Sequence, residues 1–77
     1  MMMFDVDRWI AENCVGSREI VWSNGIQYAF HTMKDGWTAI FEYTDGAWHP
    51  VIQAETRARA ESYVAMREPA PFPIERI

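Results

Sequence analysis

Three glycine turns at near-equal spacing, Asn24-Gly25, Asp35-Gly36 and Asp45-Gly46, decide most of what this chain can fold into. Asn-Gly and Asp-Gly tolerate the positive φ angles of a two-residue type I′ turn, whose twist matches that of antiparallel strands. The segments between the turns are rich in Val, Ile, Tyr, Phe, Trp and Thr. That pattern predicts a four-stranded antiparallel meander with strands near 18–23, 26–34, 37–44 and 47–53.

If each turn is a two-residue loop, the register assigns every side chain to a face. One face then takes Val21, Ile26, Tyr28, Phe30, Trp37, Ala39, Phe41, Tyr43, Trp48, Pro50 and Ile52 and reads as the core. Cross-strand neighbours in that register are Phe30–Phe41, Tyr28–Tyr43 and Tyr43–Trp48, pairs that stabilise a sheet. The opposite face mixes polar residues with Trp22, Met33, Ile40 and Val51. These four are either covered by a helix or the tail, or form an apolar patch for a protein partner or a second copy. Pro50 has no N–H to give a neighbouring strand, which marks the last strand as an edge.

A helix precedes the strands. Asp5 is an N-cap residue with Phe4 and Trp9 placed as a hydrophobic staple, and Val6, Trp9, Ile10 and Cys14 follow helical spacing. The reading is a helix over about 5–14, ended by Gly16. A second helix runs from Glu55 or Thr56 to about Arg67, with Ala60, Tyr63, Val64 and Arg67 on one side. Pro69, Pro71 and Pro73 then enforce an extended tail. The expected architecture is α+β, in the order α-β-β-β-β-α, as two layers: a domain over 1–68 and a proline-rich tail over 69–77.

At 77 residues the chain has room for one domain. With Cys14 as its single cysteine, it cannot form an internal disulfide or a cysteine-rich zinc site. Cys14 reads as a small core residue in a reducing, cytoplasmic setting. No apolar run approaches the ~20 residues that span a bilayer. Asp5 and Asp7 follow Met1-Met2-Met3-Phe4 too closely for a secretory signal, so the three methionines suggest an ambiguous start or a frayed terminus.

The net charge of −4 is uneven: residues 1–56 carry eight acids against three bases, and residues 57–77 three acids against four arginines. This balance opposes direct nucleic-acid binding, which rests on Lys and Arg meeting phosphates, and it suits docking on a basic protein surface.

Catalytic signals are sparse. His31, Glu42 and His49 are metal-ligand types that would share the polar-apolar face, Glu42 across from His49 and diagonal to His31. Without an HExxH or a second carboxylate, they read as a cross-strand polar cluster. Ser17, Ser23 and Ser62 lie in no nucleophile motif, and no glycine-rich phosphate loop is present. No enzyme activity, cofactor or metal is expected.

The helix–strands–helix order resembles the double-stranded RNA-binding domain, most of all at Thr56-Arg57-Ala58-Arg59-Ala60-Glu61. Such domains grip phosphates with lysines at that helix start, where this chain offers Arg57 and Arg59 beside Glu55 and Glu61, and this chain has an extra strand. In size, acidity and aromatic content the chain is also similar in kind to phage and mobile-element accessory proteins of the anti-CRISPR type, without a shared motif. That likeness implies a non-enzymatic inhibitor acting in a host cytoplasm by masking a basic, nucleic-acid-handling surface. The expected contact residues are Asp5, Asp7, Glu12, Glu19, Asp35, Glu42 and Asp45, with Trp22 as an apolar anchor. A self-associating structural domain is the alternative, a weak RNA-binding module a lesser one, and the chain is expected to be a monomer or a homodimer.

Overall fold

A computed structural model describes residues 4–67 of the chain. The expected proline-rich tail lies outside the described residues. The elements run α1 (Val6–Asn13), β1 (Cys14–Ser23), β2 (Ile26–Met33), β3 (Thr38–Thr44), β4 (Ala47–Ala54) and α2 (Arg57–Met66). The fold is α+β: one antiparallel sheet in the order β1-β2-β3-β4, with a helix before and a helix after it. β4 is an edge strand, as Pro50 requires.

Two of the three turns are two-residue loops. Ser23 pairs with Ile26 across Asn24-Gly25, and Thr44 with Ala47 across Asp45-Gly46. Asn24 and Asp45 both sit at φ 53° and their glycines at 79°, the type I′ signature. The middle turn is longer by one residue. Met33 accepts no such two-residue closure; its N–H donates to the Trp37 carbonyl at 2.7 Å, leaving Lys34, Asp35 and Gly36 as the loop. Gly36 takes φ +93°, and Asp35 Oδ1 accepts the Trp37 N–H at 3.0 Å. A three-residue loop with glycine in the left-handed position is the next-favoured hairpin solution.

That single residue slides β3 by one position and turns each of its side chains to the other face. Phe30 pairs with Ile40 and Tyr28 with Glu42, in place of the expected Phe30–Phe41 and Tyr28–Tyr43 neighbours, while Tyr43 does pair with Trp48. Neither face is therefore the core alone. Tyr28, Phe30 and Ile40 pack with Ala60 and Val64 of α2, and Ala29, Met33, Ala39 and Phe41 pack with Val6, Trp9 and Ile10 of α1. The helices lie on opposite faces, so the layers number three, where two were expected.

Each helix is fitted to its face. Asp5 caps α1 by accepting the Arg8 N–H at 3.1 Å, and the Phe4 and Trp9 rings stand 6.4 Å apart as the expected staple. Trp9 meets the edge of Phe41 at 5.9 Å. α1 passes into β1 through an extended Cys14, so Gly16 does not end the helix. Gly16 (φ +80°) falls instead where the β1–β2 register shifts between Val15 and Glu19, an irregularity that a glycine accommodates. On the other side Thr56 caps α2, and the small Ala60 lets the helix approach until that residue is fully buried. Ser23 Oγ donates to the Val64 carbonyl at 2.9 Å, and Asn24 Nδ2 to the Arg67 carbonyl at 3.2 Å, tying the end of α2 to the first turn.

The two layers are separable by substitution. Phe41→Leu and Phe30→Leu each trim the core by about 1 kcal/mol. Amide hydrogen exchange should then speed up mainly in α1 for the first and mainly in α2 for the second. Equal acceleration of both helices by either variant would contradict the register.

Candidate functional site

The slipped register produces a row across all four strands: Trp22 pairs with Gln27, Gln27 with Tyr43, and Tyr43 with Trp48. The row lies on the α1 face, at the end marked by the two type I′ turns. Asn13, the last residue of α1, accepts the Lys34 N–H at the opposite end of the sheet, and the start of the helix reaches the row only at Trp48, leaving Trp22 and Tyr43 uncovered. Trp22 is 66 % exposed and Tyr43 42 %, and the Tyr43 and Trp48 rings meet edge-on at 5.0 Å. Ile20, one pair further in on the same face, is also exposed.

Arg18 links this row to the buried part of the face. Its guanidinium lies 5.1 Å from the Trp48 ring, and its Nε donates to His31 Nε2 at 3.3 Å. That bond requires His31 to be neutral, with its proton on Nδ1. His31 is 4 % exposed and stands edge-on to Phe41 at 5.6 Å. Burial first, and the Arg18 charge second, hold its pKa below the ordinary histidine value.

The residues expected to meet a partner separate into two groups. Glu12 pairs with Arg8, Glu19 with Arg57, and Glu42 with Arg67 at 2.9 Å. Glu61 pairs with Arg57 and Glu55 with Arg59 as well. Among the described residues every glutamate is thus in an ion pair, and Asp5, Asp7, Asp35 and Asp45 are not. Asp5 and Asp35 each accept a backbone N–H, and Asp45 sits at a turn tip. Glu42 is a half-buried strut between β3 and the end of α2, where the Arg67 guanidinium also lies 5.9 Å from the Tyr28 ring.

The other expected groupings dissolve. Of the apolar set Trp22, Met33, Ile40 and Val51, Met33 and Ile40 are buried under different helices, Val51 packs at the edge of the α2 core, and Trp22 alone is well exposed. His49 pairs with Glu42 as expected, but His31 points to the opposite face, because the middle loop is three residues long. Among the described residues no three His, Cys, Asp or Glu side chains converge in a manner that holds a metal. Cys14 is half-buried beside α1, and burial followed by the Asp35 charge raises its thiol pKa, opposite to what a nucleophile needs. Arg57 and Arg59, the residues that carried the RNA-binding likeness, are both held by glutamates.

Tyr43 and Trp48 were missed in the sequence as members of the face that carries Trp22. Their signal was the residue before Asp35-Gly36: with Lys34 counted in the loop, Tyr43 moves to the face that carries Trp22.

The sign of the His31 effect is fixed by its depressed pKa. The unfolded chain binds a proton near the ordinary histidine value and the folded chain only at lower pH. Stability present above pH ~6.5 therefore declines as pH falls toward the folded pKa. Urea midpoints measured at pH 7.5 and pH 5 should drop on acidification, and His31→Gln should remove a clear part of that drop. An undiminished drop in the variant would place the sensitive group elsewhere.

Comparison with family models, curated proteins and solved structures finds no match for this chain.

Proposed function

We propose that this chain is a non-catalytic protein-binding module whose contact surface is the uncovered end of the α1 face, set against a basic surface of a larger partner. The observation that carries this reading is the row Trp22–Gln27–Tyr43–Trp48, with Trp22 and Tyr43 open to solvent. Exposing two large rings in one row costs hydrophobic free energy that burial in a complex regains. Trp, Tyr and Arg are also the residue types that dominate interface energetics.

The basic character of the partner follows from which charges remain unpaired. Five glutamates meet four arginines, Arg57 being shared by Glu19 and Glu61, so the outward field of the described residues comes from four aspartates and one surplus glutamate charge against Arg18 and Lys34. Asp45 stands at the tip beside the aromatic row, and Asp5 and Asp7 share a hollow with Trp48. Acids around an aromatic centre steer association with a basic surface, such as one that handles nucleic acid. An inhibitor of the kind known among phage accessory proteins acts in this manner, by occlusion and without turnover.

The test begins with a photo-crosslinking residue at position 22 to identify the partner, which is then purified. Trp22→Ala should weaken its binding at least tenfold without altering the fold. Asp45→Lys should slow association and flatten its salt dependence. Glu42 is unsuited to charge reversal, because the change would break its bond to Arg67. Binding that survives both substitutions unchanged would sink the reading. The same row also serves self-pairing: a stable dimer in sedimentation at micromolar concentration, abolished by Trp22→Glu, would assign it to a second copy.

A further inference from the structure

The geometry points to a peptide-binding groove between α1 and β4 that takes an extended segment bearing a lysine or arginine next to a bulky apolar residue. This deepens the protein-binding reading above and rests on it. The groove has two compartments that share Phe4 and Pro50 as common walls. In the outer one, Asp5 and Asp7 at the start of α1 stand across from Trp48 and His49 of β4. The inner one, about 350 Å³, is bounded by Trp9, Phe41 and Ile52. That volume accommodates one or two apolar side chains, at the low end of the ~300–1,000 Å³ of ligand pockets.

The groove exists because α1 is short. Eight residues make a helix of about 12 Å, and its last residue is fastened to the β2–β3 loop through the Asn13 carbonyl and the Lys34 N–H. The strip above β3 and β4 is left open, with Trp9 as its inner wall.

Charge selects the occupant. Asp5 spends one carboxylate oxygen on the Arg8 N–H, and Asp7 takes part in no ion pair among the described residues. The neighbouring Arg8 is engaged by Glu12. Arg18 lies over the Trp48 ring, so the attraction for an incoming cation rests on the two aspartates while Trp48 supplies an apolar wall. Two acids against one arginine leave the mouth negative, and the interior is apolar. The complementary ligand has its positive charge outside and its apolar side chain inside.

The test titrates the full ¹⁵N-labelled chain with an end-blocked pentapeptide, Thr-Arg-Val-Leu-Thr, and with its counterpart carrying Glu for Arg. The arginine peptide should shift the amides of Val6, Trp9, Trp48 and Gln53, and the glutamate peptide should not. Asp5→Asn with Asp7→Asn keeps the helix cap, since Asn caps as well as Asp, and should weaken binding about tenfold, the loss expected for ~1.4 kcal/mol. Equal binding of the two peptides, shifts confined to other surfaces, or full affinity in the double variant would each overturn the groove. Shifts of the groove amides on concentration alone, with a dimer in sedimentation, would give it to a second copy and overturn it too. Met66→Ala, on α2 across the sheet, should leave peptide binding intact. Loss of the peptide with Trp22-dependent partner binding preserved rejects the groove alone, and the reverse result rejects the partner reading alone.

Discussion

The two-sided burial of β2 and β3 is the constraint on which the other features depend. Ala29, Met33, Ala39 and Phe41 need cover on one face, and Tyr28, Phe30 and Ile40 on the other. A chain of 77 residues has few ways to supply it. It spends one short helix on each face. α2 lies close, because Ala60 has no bulk to hold it off. α1 is only two turns long and covers the half of its face nearest the β2–β3 loop. The surplus of apolar sheet over helix is what appears at the surface as the aromatic row and the groove along β4.

The ion pairs work within the same frame. Arg57 reaches from α2 to Glu19 on β1, and Arg67 from the end of α2 to Glu42 on β3. Both fasten the second helix to its face, with the Arg57 guanidinium 5.6 Å from the Phe30 ring. The exposed Arg57–Glu19 pair contributes little to stability by itself. The larger effect of the ion pairs is on the molecular field: they offset all but one of the glutamate charges and leave most of the negative surface charge to the aspartates.

Much of the fold was legible in the sequence. Asn24-Gly25 and Asp45-Gly46 announced their turns, Asp5 and Thr56 their caps, and the Phe4–Trp9 staple its helix entrance. What failed was the equivalence of the three glycine turns. Asp35-Gly36 has the dipeptide of a two-residue turn, yet closing it that way would put Phe41 under α2 with Phe30 and set Ala29 opposite Glu42 and Met33 opposite Thr38. The three-residue loop gives each face a contiguous apolar set, and that global gain outweighs the local preference. The runs Tyr28-Ala29-Phe30 and Ala39-Ile40-Phe41 carried the warning, since unbroken apolar runs belong to strands covered on both faces. The candidate site depends on the same slip, which brought Tyr43 and Trp48 beside Trp22 and took His31 away from Glu42. Which acids would be neutralised was not legible at all, because Arg57–Glu19 joins residues 38 apart in the chain.

The irregularities in the two outer strands have a consequence for how copies of this sheet can meet. β1 loses step with its neighbour between Val15 and Glu19, and β4 does so at Pro50 and Val51. A strand seeking to extend the sheet needs an unbroken ladder of outward N–H and C=O groups. It would meet a kink on one side and a missing donor on the other. Growth by edge-to-edge pairing, the route to fibrils, is thereby obstructed at both edges of a sheet dense in aromatic residues. What stays open to contact is the two faces, where side chains rather than backbone form the surface.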